Sequence, residues 1–136
     1  MQVNPYLSYK GQCEEAFTFY KKCFGGRITA KTRYGETSMS KQVPGGWRDK
    51  IIYSEMTIGD MVLMGGDPPP ARYSEPRGFS LTVEVDDPEE AERIFSALSE
   101  NGSVTVPLEE SAWADRFGML TDQFGIPWMV MYRKST

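Results

Sequence analysis

The chain has 136 residues, 40% of them hydrophobic and 25% charged, with a formal net charge of −4 and no histidine. That composition fits one soluble domain with its own core, and it argues against nucleic acid as a partner, because phosphate binding needs a basic patch and no basic cluster is present. Apolar runs are only a few residues long, and Met1-Gln2-Val3-Asn4-Pro5 has no charged stretch leading into an apolar one, so no membrane partner, no signal peptide and a cytoplasmic location are expected.

In chain order, Val3 to Tyr9 is rich in aromatic and branched residues and predicts a strand. Gly11 breaks it, and Glu14 and Glu15 suit the positive end of a following helix, whose face is Ala16, Phe17, Phe19, Tyr20 and Phe24. Gly25 and Gly26 end that helix. Arg27 to Tyr34 predicts a second strand, and Gly35 to Trp47, with Pro44-Gly45-Gly46, a flexible loop. Lys50 to Ile58 and Met61 to Met64 predict a hairpin across Gly59-Asp60. The proline-rich stretch that follows predicts a linker.

Phe79 to Val85 begins a second set of elements. Phe79, Leu81, Val83 and Val85 share one face of the strand; Ser80, Thr82 and Glu84 share the other. Asp87 and Pro88 start a helix as cap and first turn, with Ala91, Ile94, Phe95 and Leu98 as its buried stripe and Asn101-Gly102 as its stop. Val104 to Leu108, Arg116 to Thr121 and Trp128 to Tyr132 predict three more strands.

Glu14-Glu15-Ala16 returns as Glu89-Glu90-Ala91, 75 positions on. The chain thus reads as two β-α-β-β-β modules within a single α+β domain: module one 1–67, linker 68–77, module two 78–136. Paired modules of this kind commonly wrap a sheet around a cleft. Cys13 and Cys23 both fall on the first predicted helix, about 15 Å apart along its axis, too far for a disulfide.

The order and spacing of several short motifs carry a resemblance. Pro5-Tyr6-Leu7, Glu15-Ala16, Phe19-Tyr20, Phe24-Gly25, Trp113-Ala114-Asp115-Arg116-Phe117-Gly118 and Asp122 to Trp128 together resemble the PhnB-like branch of the vicinal oxygen chelate superfamily, which includes glyoxalases, bleomycin-resistance proteins and extradiol dioxygenases. The chain departs from that branch at Ala114, commonly Gly, and at Tyr53, commonly His. The resemblance implies a curved eight-stranded mixed sheet around a cleft, usually in a homodimer. It also implies that metal-dependent relatives draw four ligands from His, Gln and Glu, at positions falling here on Pro5, Leu63 or Met64, Ser80 and Met129. Pro and Leu offer no ligand atom and Met suits soft metals only, so no metal and no cofactor are expected. A ubiquinone methyltransferase, with which the branch has been associated, would need a Gly-rich nucleotide loop in a parallel sheet, and none is present.

The candidate chemistry is metal-free. Tyr53 and Glu55 lie two apart on a predicted strand and share a face; they form either a cleft wall with Glu55 or Tyr53 as acid or base, or a solvated polar face. Trp113, Arg116 and Phe117 put a cation among aromatics; Arg116 either holds an anionic ligand or pairs with Asp115 or Asp122. Met61, Met64, Met119, Met129 and Met131 are adaptable pocket walls or core. The expected ligand-binding set is Tyr53, Glu55, Ser80, Trp113, Arg116 and Met129. The expected function is capture of a small-molecule ligand in a cleft; the alternative is a metal-independent isomerase or lyase using Glu55 or Tyr53.

Overall fold

The computed structural model describes residues 1–134. It comprises two compact units, the first Met1–Ser74 and the second starting at Glu75, and each runs β-α-β-β-β as expected. The first contains β1 (Tyr6–Ser8), α1 (Cys13–Phe24), β2 (Arg27–Arg33), β3 (Ile51–Ile58) and β4 (Met61–Gly66). The second contains β5 (Leu81–Val85), α2 (Pro88–Ser99), β6 (Ser103–Glu109), β7 (Arg116–Thr121) and β8 (Pro127–Tyr132).

The strands form two four-stranded mixed sheets, ordered β1-β4-β3-β2 and β5-β8-β7-β6. In each, the first and last strands of the unit run parallel and the other neighbours antiparallel. A parallel pair needs a crossover, and the helix of each unit supplies the start of it.

The helix-facing side of each sheet carries the core. In α1, Ala16, Phe17, Tyr20 and Cys23 are buried at helical spacing and Phe17 meets Tyr9 edge-on, ring centroids 6.2 Å apart. Full burial of one such ring contributes about 1.5–3 kcal/mol. Gly65 makes room for it, since a Cβ there would stand 2.9 Å from Phe17 Cζ. In α2, the Asp87 carboxylate accepts the Glu89 N–H at 3.2 Å, and Ala91, Ile94 and Leu98 are buried. Asn101 ends the turn after α2 in the left-handed region, φ 60°, which Asn tolerates better than most residues.

Several boundaries differ from expectation. β1 starts at Tyr6 rather than Val3 and β5 at Leu81 rather than Phe79, where the paired registers with β4 and β8 begin. The stretch 35–47 is built from short 3-10 turns at Tyr34–Glu36, Ser38–Lys41 and Gly45–Trp47, anchored by buried Tyr34. The expected linker is partly structured too: Pro70–Arg72 forms a 3-10 turn, and the Tyr73 ring lies under Lys10 Nζ at 5.2 Å. Both cysteines are buried and free.

Candidate functional site

Strand alternation divides the first unit's side chains cleanly. Leu7, Ser54, Met56 and Leu63 are buried, and Leu7 is paired with Gly65, which packs on Phe17 of α1. Tyr6, Tyr53, Glu55 and Met64 therefore lie on the face turned away from α1, with Tyr6 beside Met64 and Met64 beside Glu55 in register. Tyr53 and Glu55 do share a face, as the two-residue spacing requires, and both are half-buried.

Local structure holds this group in place. The register slips between Ile28 and Ala30, and the intervening Thr29 turns its hydroxyl to Glu55, 3.3 Å from the carbonyl and 3.4 Å from Oε2. Burial raises the Tyr53 phenol above its ordinary pKa, and hydrogen bonding to Glu55 and the charge of that carboxylate add to the shift. Tyr6 reaches across Gly66 to donate to the Ile52 carbonyl at 3.2 Å, and its pKa is pushed up to about 12, chiefly by burial of the phenol. Lys31 and Arg33 of β2 reach Glu14 of α1 instead, at 2.9 and 2.8 Å. These contacts hold the Glu14 carboxyl down at about 2, chiefly by hydrogen bonding from Arg33 and then Lys31.

The second unit divides the same way. Leu120, Trp128 and Val130 are buried, and Gly118, paired with Val130, packs on Phe95 of α2. Phe117, itself buried at 7% exposure, lies on the other face with Met119, Met129 and Met131, Met119 opposite Met129 and Phe117 opposite Met131. Thr82, beside Met129 on β5, donates its hydroxyl to the Met129 sulfur at 3.7 Å. Trp113, 59% exposed, meets the Phe117 ring edge-on at 5.0 Å. Ser80 precedes the first paired residue of β5.

Arg116 does not join this group. It sits one residue before Phe117 and pairs with Tyr132, so alternation places it on the α2 side of the sheet, across from Phe117 and Met129. Its Nη1 donates to the Asp115 carbonyl at 2.8 Å. Nor does Asp122 partner it: that buried carboxylate accepts from Phe124 N, Ile126 N and Trp128 Nε1 at 2.8, 3.0 and 2.9 Å, fixing the β7–β8 turn. The Asp122–Trp128 motif is thus a turn staple.

The positions implied for a metal do not fit one. Leu63 is buried with the core, which leaves Met64 on the other face. The Pro5 carbonyl accepts the Met64 N–H at 3.0 Å, the Met129 sulfur already accepts from Thr82, and Ser80 adds a neutral hydroxyl. Thioethers and alcohols are poor ligands for Zn, Ni, Fe or Mn, and among the described residues no His, Cys, Asp or Glu group of three or more could hold an ion.

One site was not foreseen. Asp67, 1% exposed, accepts from Gly11 N and Cys13 N through Oδ1 at 3.1 and 3.0 Å and from Ile51 N through Oδ2 at 3.0 Å. Its carbonyl takes Tyr34 Oη and Trp47 Nε1 at 2.7 and 3.2 Å. Burial and the neighbouring Asp67 carboxylate drive the Cys13 thiol far up, so it stays protonated although it opens a helix. The signal in the sequence was an acidic residue between a strand and a proline run, which reads equally well as turn chemistry.

A family model described as 3-demethylubiquinone-9 3-methyltransferase matches residues 1–131. The chain is 32% identical to Protein YjdN of Escherichia coli strain K12, over 96% of this chain and 94% of that one. It is similar to the crystal structure of protein PA1353 from Pseudomonas aeruginosa, 40% identical with TM-score 0.90 and 99% of each chain covered. A putative 3-demethylubiquinone-9 3-methyltransferase, PhnB protein, from Bacillus cereus shares the fold at TM-score 0.83, 24% identity and coverage of 97% and 99%. A glyoxylase/bleomycin resistance protein/dioxygenase domain from Frankia sp. EAN1pec shares it at TM-score 0.71, 10% identity and coverage of 99% and 93%. The chain therefore belongs to the PhnB-like, 3-demethylubiquinone-9 3-methyltransferase family within the glyoxalase/bleomycin-resistance fold.

Proposed function

We propose that this protein binds small organic molecules without a metal, on the face of each sheet turned away from its own helix. Tyr53 and Glu55 would serve on the first sheet, Met129 and Trp113 on the second, with Ser80 at the start of β5. The observation that carries the reading is the second sheet. A sheet with one face packed on a helix normally alternates apolar and polar, whereas Phe117, Met119, Met129 and Met131 make the far face apolar as well. Methionine and aromatic side chains form adaptable walls for flat or irregular ligands. Each sheet edge and apolar face also favours a cover, and we infer a homodimer.

Methyl transfer is less well supported. A Gly-rich nucleotide loop following the first strand of a parallel sheet, which such an enzyme would use, is not present in the sequence. The second reading is acid–base chemistry by Glu55 with Tyr53, favoured by the coupling between the two; a raised phenol pKa makes Tyr53 a weak acid at neutral pH, which places this reading second. Native mass spectrometry of protein purified directly from cells tests the main proposal. A small-molecule adduct that survives chelator is the expected result. Loss of the adduct on chelation, or a bare chain to which no compound of an aromatic library binds in ligand-observed NMR, would refute it.

A further inference from the structure

We infer that the ligand carries a positive charge, recognised on the first sheet by Glu55 with Tyr53 beside it. This deepens the small-molecule reading above and rests on it. Glu55 is a half-buried carboxylate held by two hydroxyl-bearing side chains, Thr29 at 3.4 Å from Oε2 and Tyr53 beside it. Among the described residues the ion pairs are Lys31–Glu14, Arg33–Glu14, Arg93–Glu90 and Arg133–Glu84, so Glu55 takes part in none.

The surroundings point the same way. Of the three cations on β2, Lys31 and Arg33 are turned to α1 and bound by Glu14, and Arg27, paired with Thr57 at the far end of the strand, is in none of the ion pairs among the described residues. Tyr6 crosses Gly66 to the Ile52 carbonyl, which brings a second phenol ring to the same face as Tyr53. Both phenols are held protonated by burial and by nearby negative charge, so the rings stay neutral. Aromatic faces beside an unpaired carboxylate attract an amine, amidine or quaternary ammonium group, by ring quadrupole and by direct charge. An anionic ligand would meet only repulsion from Glu55, and Arg116, the cation that was expected to receive it, stands on a helix-facing surface of the other sheet.

The test compares three probes of one shape, benzamidinium, benzamide and benzoate, by amide-shift NMR titration of the full chain. Benzamidinium should shift the amides of Tyr53, Glu55 and Met64 and bind at least about tenfold more tightly than benzamide, as a charge-assisted hydrogen bond implies. Benzoate should not shift them. Glu55→Gln keeps an acceptor for Thr29 and should erase the preference, and in the wild-type chain added salt should narrow it. Equal binding of benzamide and benzamidinium, or a preference that survives both Glu55→Gln and high salt, overturns the assignment while leaving small-molecule binding standing. Shifts from none of the three probes overturn the assignment, and the adduct measurement above then decides small-molecule binding separately.

Discussion

Replacing Asp67 should unfold the first unit in a graded way, because its carboxylate satisfies three buried N–H groups at once. Asp67→Ala leaves Gly11 N, Cys13 N and Ile51 N without acceptors. Each orphaned donor costs about 1–3 kcal/mol, but a pocket of about 70 Å³ lined by Gly11, Ile51 and Asp67 can admit water to part of the site. The net loss should therefore fall at the low end, about 3–5 kcal/mol. Asp67→Asn keeps one oxygen for Gly11 and Cys13 and turns an amide N–H₂ toward the Ile51 N–H. It also relieves the burial that pushes the Asp67 carboxyl above its ordinary range, so its cost should be smaller, about 1–2 kcal/mol. Urea unfolding followed by circular dichroism gives both values. An Asn variant within 0.5 kcal/mol of wild type, an error of about the size expected for a surface change, would refute the account, and so would an Ala variant no worse than Asn.

Glu14 gives the pH dependence. Its folded pKa of about 2 lies below the ordinary 4.5, so the stability it adds is complete above pH about 4.5 and is lost as pH falls toward 2. The difference in unfolding free energy between wild type and Glu14→Gln, from urea unfolding, should be constant near neutrality and vanish at the acid end, and at 42% exposure it should not exceed about 1 kcal/mol; a difference that persists at the acid end would count against the Arg33 and Lys31 pairing. Gly66→Ala places a Cβ 2.3 Å from Tyr6 Oη and 2.7 Å from the Ile52 carbonyl, and since the second contact is backbone it should cost about 1–3 kcal/mol in urea unfolding. Sedimentation equilibrium at micromolar concentration should give twice the chain mass; a monomer would remove the inferred homodimer.

The fold was legible because its signals are local and repeated. Asp87-Pro88 and Gly25-Gly26 mark helix ends whatever the tertiary context, and the alternation in Leu81–Val85 survives as a real strand. What was lost is what depends on a partner strand. Val3 and Phe79 have strand-like chemistry but lie outside the paired registers, and they are exposed. Arg116 was read from its neighbours in sequence, Trp113 and Phe117, whereas adjacent strand residues point to opposite faces. Asp67 was invisible as a hub because its three donors come from Gly11, Cys13 and Ile51, between 16 and 56 positions away.

This division of labour between faces makes its own prediction on β8. Val130, 0% exposed, lies on the α2 side with Leu81–Val85's apolar set, and Met129 on the other face beside Thr82. The core face and the two aspartate staples hold each unit together, which leaves phenols and a carboxylate on the far face of the first unit and thioethers and rings on that of the second. Val130→Ala should therefore remove two methyl groups from a closed core and cost about 1–3 kcal/mol. Met129→Gln, one residue earlier and similar in volume, should cost less than about 0.5 kcal/mol yet weaken binding of aromatic ligands, because it places an amide in the apolar wall. If Met129→Gln destabilises as much as Val130→Ala, the far face is core rather than binding surface, and the case for a ligand on the second sheet falls with it.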